Sequence, residues 1–156
     1  MKRWNILSEY APNKIISGQI LLTRGITEVE DFLHTKSISD YFSRFSIELK
    51  NSLKKAKILI EEAMKSENTI VIYGDYDADG ICSTAVLYNT IKNERKYELV
   101  IPFIPNRFEH GYGLSVKAIQ KIIDEENLSK NALFITVDTG VTAIEEISFL
   151  KEKGFQ

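Results

Sequence analysis

Cysteine is almost missing from this chain, where Cys82 stands alone. A single thiol cannot close an intrachain disulfide, and it excludes a zinc site built on cysteines. No apolar stretch approaches the roughly 20 residues of a membrane-crossing helix. Nor is Met1-Lys-Arg-Trp-Asn5 followed by the apolar core of a secretory signal. These absences predict a soluble, cytoplasmic protein with no membrane partner, and Cys82 is expected reduced, on the inner face of a helix. An excess of either charge is absent too, since 20 Lys and Arg face 22 Asp and Glu, for a net charge of −2. Proteins that coat nucleic acid indiscriminately carry a broad basic face, so that class drops out, whereas a local path for phosphates does not. Low-complexity sequence is also lacking. The 156 residues, 44% hydrophobic and 27% charged, suffice for one compact core.

What the chain does have is the run Thr69-Ile-Val-Ile-Tyr-Gly-Asp-Tyr-Asp-Ala-Asp-Gly-Ile-Cys-Ser-Thr84. A β-branched apolar segment leads straight into alternating aspartates and a glycine. Asp75, Asp77 and Asp79 would repel one another if gathered away from water, so a fold that gathers them calls for bound cations. Carboxylate oxygens are hard ligands suited to Mg²⁺, Mn²⁺ or Ca²⁺. Gly80 permits a tight exit, and apolar Ile81, Ala85 and Tyr88 follow at helical spacing. The acids thus sit where a strand becomes a helix. An EF-hand loop also reads Asp-x-Asp-x-Asp-Gly, but numbering from Asp75 puts Val86 where the bidentate Glu belongs. A haloacid-dehalogenase-type phosphatase fits Asp77-Ala-Asp79-Gly80 with Asp77 as nucleophile, yet gives Asp75 no task. A solvated acidic turn is the bland alternative.

Up to about Asn68 the pattern is helical. Thr27-Glu-Val-Glu30 reads as a capping box before a short helix, and Ser46 to Lys65 as an amphipathic helix with Ile47, Leu49, Leu53, Ala56, Ile60, Ala63 and Met64 on its apolar side. His34 falls in this lead-in, as a structural or exposed residue. From Thr69 strands and helices alternate. Strands are expected at 69–73, 97–104 and 132–137, and helices at about 80–93, 115–126 and 141–153, the last opened by a second capping box at Thr142-Ala-Ile-Glu145. Such alternation predicts an α/β fold: a mostly parallel sheet flanked by helices, preceded by a helical lead-in. Residues 1–67 form that lead-in and 68–156 the α/β part. In such folds ligands bind beyond the carboxyl ends of the strands, where all three polar loops lie.

Asp138, in Asp138-Thr-Gly140, follows the third strand and is a fourth candidate ligand, unless it only caps the next helix. The loop after the second strand holds Asn106-Arg-Phe-Glu-His-Gly-Tyr-Gly113. Arg107 can grip a phosphate bidentately, His110 can exchange a proton near neutral pH, and Gly111 and Gly113 allow close backbone approach. Tyr112, Phe108 and Tyr76 can stack a base, or simply pack. The expected catalytic and metal set is Asp75, Asp77, Asp79 and Asp138. The expected substrate set is Arg107, His110, Gly111, Tyr112 and Gly113.

With these residues in view, the chain resembles the DHH phosphoesterase superfamily, and within it the RecJ-type single-strand-specific DNA exonucleases. The resemblance rests on Val71-Ile-Tyr-Gly-Asp-Tyr-Asp-Ala-Asp-Gly80, Ile104-Pro-Asn-Arg-Phe-Glu-His-Gly-Tyr-Gly-Leu-Ser115 and Ile135-Thr-Val-Asp-Thr-Gly140, with Ile20-Leu-Leu-Thr-Arg-Gly-Ile26 and Asp31-Phe-Leu33 similar to the segment before the catalytic domain. It implies a Mn²⁺ or Mg²⁺ enzyme that removes nucleotides from a 5′ end of single-stranded DNA in recombination and repair, by two-metal phosphodiester hydrolysis. Asp77, Asp79 and Asp138 match metal ligands, with Asp75 beside them. NanoRNA, cyclic-dinucleotide or pyrophosphate hydrolysis within the superfamily, and an inactive binding fragment, stay open. Single-stranded DNA is the implied partner, and no repair protein is named by the resemblance. RecJ-like proteins are much longer, and the Asp-His-His motif that names the superfamily normally follows the next strand. None occurs in these residues. The chain is therefore expected to be an N-terminal portion of a larger enzyme.

Overall fold

The computed structural model describes residues 15–34 and 37–156. Met1 to Asn5 and part of the helical lead-in lie outside the described residues. The chain divides into two units, Met1–Lys50 and Asn51–Gln156.

The first unit holds α1 (Ile16–Thr23), α2 (Val29–Leu33) and α3 (Ile38–Arg44), and no described residue of these helices is buried. The Thr27 capping box does not form, because Glu28 takes the cap position without a side-chain bond. A capping box does form one helix later, between Ser37 and Asp40, on a Ser-x-x-Asp signal that the sequence reading passed over. His34 is exposed and faces Glu30 at 3.0 Å. Helix α4 (Ile47–Lys65) runs across the boundary between the units. Its apolar stripe is used unevenly: Ala63 is buried, with Ile60 and Met64 half-buried against the core, while Ile47 and Leu49 are exposed.

The second unit is an α/β layer. Strands β1 (Ile70–Tyr73), β2 (Val100–Phe103) and β3 (Leu133–Thr136) pair in parallel in the order β2-β1-β3. Ile70 and Ile72, alternating along β1, pack with Val100 and Leu133 towards α4 and the stretch after α5 (Ala78–Asn89). Val71 and Tyr73 face the other way, with Ala118, Ile119 and Ile122 of α7 (Val116–Glu125) and Leu150 of α8 (Ile144–Glu152). All four β1 residues are fully buried, as expected for a central strand covered on both faces. Beyond β3, Gln156 already pairs with the free edge: its N–H donates to Ala132 and its carbonyl accepts from Phe134.

Several boundaries differ from the sequence reading, each for a local reason. Tyr97, Glu98 and Leu99 are not strand; Tyr97 turns inward and its hydroxyl donates to the Asn68 carbonyl at 2.7 Å. Helix α5 starts at Ala78, and its C-terminal end widens into a π turn over Thr90–Glu94. Its inner face is Gly80, Thr84, Leu87 and Tyr88, so Tyr88 packs inward as expected while Ile81 and Ala85 point outward. Cys82 is exposed, not packed inside as expected. Helix α8 begins at Ile144 behind Ala143, so the Thr142 capping box is not made. Among the described residues, no helix is long and apolar enough to cross a membrane.

Candidate functional site

Parallel pairing fixes the placement of the acids. Tyr73 stands opposite Phe103 and Thr136 in register, so the residues that follow all three strands emerge at one edge of the sheet. Asp75, Asp77 and Asp79 come from β1, Arg107 to Gly113 from β2, and Asp138 from β3.

The acidic turn is bound to its own backbone. Asp75 Oδ1 accepts the Tyr76 N–H at 2.7 Å, and Asp77 Oδ1 accepts the Gly80 N–H at 3.0 Å as the N-cap of α5. Asp79 lies in the first turn of that helix, where the dipole favours an anion. The helix end fits tightly against the turn. A Cβ on Gly80 would stand 2.4 Å from the Asp75 carbonyl oxygen, so only glycine allows the approach. Inside, Thr84 is buried and donates to the Gly80 carbonyl at 2.7 Å.

Asp138 sits on an exposed turn with φ +59, in the left-handed region that aspartate tolerates better than most residues. It does not cap α8, whose N-cap is Ala143. Partial loss of hydration raises its carboxyl above the usual range, and the charges of Asp77, Asp79 and Asp75 push the same way, as does the hydrogen bond that protonated Asp138 donates to Asp77. Each of the other three aspartates therefore acts on it. Yet as the side chains stand, no three His, Cys, Asp or Glu among the described residues are grouped closely enough to hold a metal ion. The four acids share a rim without forming a ready cage, and two of them are already engaged with backbone N–H groups. As donors they fit a hard divalent cation, which would neutralise the repulsion that Asp138 records.

The second loop opens with α6 (Arg107–His110), a helical turn the sequence reading missed. Asn106 caps it by accepting the Phe108 N–H at 2.9 Å; the Asn106-x-x-Glu109 spacing was the available signal. Arg107 stacks its guanidinium over Tyr112 at 4.4 Å and lies 5.4 Å from the Tyr76 ring; the two rings meet edge to face at 5.6 Å. Tyr112 is 64% exposed and Phe108 97% exposed, so neither is simple core packing. His110, expected to touch substrate, is instead buried at 8% exposure, its Nδ1 accepting the Asn106 backbone N–H at 3.0 Å. Gly111 and Gly113 serve backbone shape, with φ of +81 and +67; around Gly111 there is open space, not a close approach.

Beneath the loop, Tyr73 donates its hydroxyl to the Gly113 carbonyl at 3.0 Å. Burial pushes its pKa up to about 12, with Ser115 offsetting part of the rise. An unfolded tyrosine titrates at about 10. The folded form therefore gains stability from the neutral phenol that is fully present below about pH 10 and is lost as pH rises through about 12. An ultraviolet titration of phenolate is expected to show a late tyrosine near pH 12, absent in Tyr73→Phe.

Known proteins resemble this chain over its α/β part. Residues 69–156 match the family described as "DHH family, N-terminal domain". The single-stranded-DNA-specific exonuclease RecJ of Bacillus subtilis is 39% identical over 141 residues, covering 88% of this chain and 16% of that protein. RecJ of Thermus thermophilus is 38% identical over 104 residues, 67% of this chain and 15% of its own length. A crystal structure of exonuclease RecJ bound to manganese superimposes with a TM-score of 0.54 at 38% identity, covering 65% of this chain and 25% of that one. This chain thus spans about one sixth of the curated relatives it matches.

Proposed function

Because this chain belongs to the DHH family, we propose that it furnishes part of a metal-dependent exonuclease that removes nucleotides from the 5′ end of single-stranded DNA, in recombination and repair. Residues 1–67 serve as the lead-in and 68–156 as the N-terminal portion of the DHH domain. The observation that carries this reading is the shared rim: three parallel strand ends lead to four aspartates at one sheet edge, beside a loop bearing an arginine stacked on tyrosine.

Asp77, Asp79 and Asp138, with Asp75 beside them, would hold Mn²⁺ or Mg²⁺. When bound, such a metal supplies positive charge that polarises a phosphodiester and stabilises its attacking and leaving oxygens. The chain's own groups do the rest. Arg107 grips a non-bridging phosphate oxygen, already oriented by Tyr112. Tyr112 and Tyr76 offer faces that stack any base, which suits a single strand of arbitrary sequence. The reading places the enzyme in the cytoplasm.

The aspartyl-phosphate phosphatase alternative gives Asp75 no task, and with Asp77 Oδ1 capping α5 it leaves only Oδ2 to attack. A phosphorylated Asp77 trapped by mass spectrometry would favour it nonetheless. For the metal reading, this chain is expected to bind Mn²⁺ weakly and release negligible 5′ nucleotide from a labelled single strand. Even partners outside the ligand sphere cost about 10–100-fold when removed, and no Asp-His-His is encoded here. Asp77→Ala should weaken Mn²⁺ binding at least tenfold on the same grounds. Unchanged Mn²⁺ binding in that variant would remove the metal site. Robust nucleotide release that vanishes in the variant would show instead that these 156 residues hold a complete active site.

A further inference from the structure

Two titratable side chains are buried under the substrate loop, and the proposed chemistry uses neither. Tyr73 ends β1, two residues before Asp75, and is fully buried. Its ring packs on Phe103 at 5.2 Å, and Phe103 on His110 at 5.9 Å. These three rings form an inner layer. The outer layer is Tyr76, Tyr112 and the Arg107 guanidinium, described above.

Both ends of the loop are tied to the inner layer by directed hydrogen bonds. At one end His110 Nδ1 accepts from the Asn106 N–H, which closes α6 onto its own start. At the other the Tyr73 hydroxyl donates to the Gly113 carbonyl. Tyr112 lies between the two ties. Flanked by two glycines at positive φ, it has little intrinsic backbone stiffness of its own.

We propose that Tyr73 and His110 are positioning residues that fix Arg107 and Tyr112 relative to the acidic turn. This rests on the proposed use of the loop for substrate. Tyr73 ends the strand that leads into Asp75, so its hydroxyl links the loop's far end to the backbone just before the acids. His110 serves as an acceptor. Because a backbone N–H donates to Nδ1, the ring proton belongs on Nε2, which faces Glu109 Oε2 at 3.8 Å.

The test uses this chain and two independent readouts. In nuclear magnetic resonance spectra, the Arg107 side-chain protons should show an upfield ring-current shift from Tyr112. Tyr73→Phe, which keeps the ring and loses only the hydroxyl, and His110→Phe, which loses the acceptor, should each shrink that shift. His110→Asn, whose amide oxygen can take the place of Nδ1, should restore it. Long-range nitrogen–proton spectra at pH 8 should report the Nε2–H form for His110, with His34→Ala separating the chain's two histidines. The second readout is binding of 5′-phosphorylated oligothymidine in the presence of Mn²⁺. Tyr73→Phe should weaken it about three- to tenfold, the scale of one lost neutral hydrogen bond, with Mn²⁺ affinity unchanged. A full ring-current shift in both Tyr73→Phe and His110→Phe, or an Nδ1–H histidine, overturns the proposal. Failure of the unaltered chain to bind the oligonucleotide would count against the functional reading, while the spectra still decide the positioning role.

Discussion

Gly80→Ala is expected to cost about 3 kcal/mol or more of folding stability and to abolish Mn²⁺ binding, because the added methyl has nowhere to go. Helix propensity alone argues the opposite sign. Within α5, alanine should beat glycine by about 1 kcal/mol. The clash outweighs that preference: the new Cβ meets Asp75 backbone N, C and O at 2.4–2.6 Å, and backbone cannot swing aside as a flexible side chain can. Either α5 withdraws or the Asp75 turn distorts, and both disturb the Asp77 cap. A urea titration measures the first effect and a Mn²⁺ titration the second. A midpoint equal to or above that of the unaltered chain would show that α5 can shift at little cost.

Asp138→Asn should separate stability from metal binding. Asp138 is raised by lost hydration and by three neighbouring negative charges, so neutralising it relieves repulsion in the metal-free chain. Without metal, the thermal midpoint should hold or rise. With metal the order reverses. A ligand present at 100 times its dissociation constant stabilises the fold by about 2.7 kcal/mol, and the variant should forfeit most of that gain. Thermal unfolding with and without Mn²⁺ reads both effects in one experiment. An equal Mn²⁺-induced rise in both proteins would take Asp138 out of the metal site.

The strands and the acids were legible because they depend on short-range signals. Ile70 to Tyr73 is an unbroken apolar run, and parallel alternation sends every following loop to one edge. Faces and caps were harder, because competition decides them. In α5 the apolar spacing of Ile81, Ala85 and Tyr88 suggested one inner face, but Gly80 had to press against Asp75, and that contact turns Thr84 inward in place of Ile81 and Ala85, leaving only Tyr88 of the three against the core. Thr142 lost its capping role because it lies inside a turn, closed by the Ala143 N–H donating to the Gly140 carbonyl, and the helix begins only at Ile144. His110 illustrates the limit for function. Its sequence neighbours predict an exposed, proton-exchanging residue, whereas the loop folds back so that His110 packs on the ring of Phe103, at the end of the strand that leads into it.

The central position of β1 has a consequence for synthesis on the ribosome. β1 pairs on one side with β2 and on the other with β3, neither of which has emerged when β1 does. At about 5–20 residues per second, several seconds separate translation of Tyr73 from that of Thr136. Throughout that interval at least one flank of an apolar, β-branched strand stays unpaired, in a form suited to wrong partners. Its three aspartates travel with it. Their charge keeps the C-terminal end of the waiting strand hydrated, so the acids proposed for the finished site also guard its most exposed precursor.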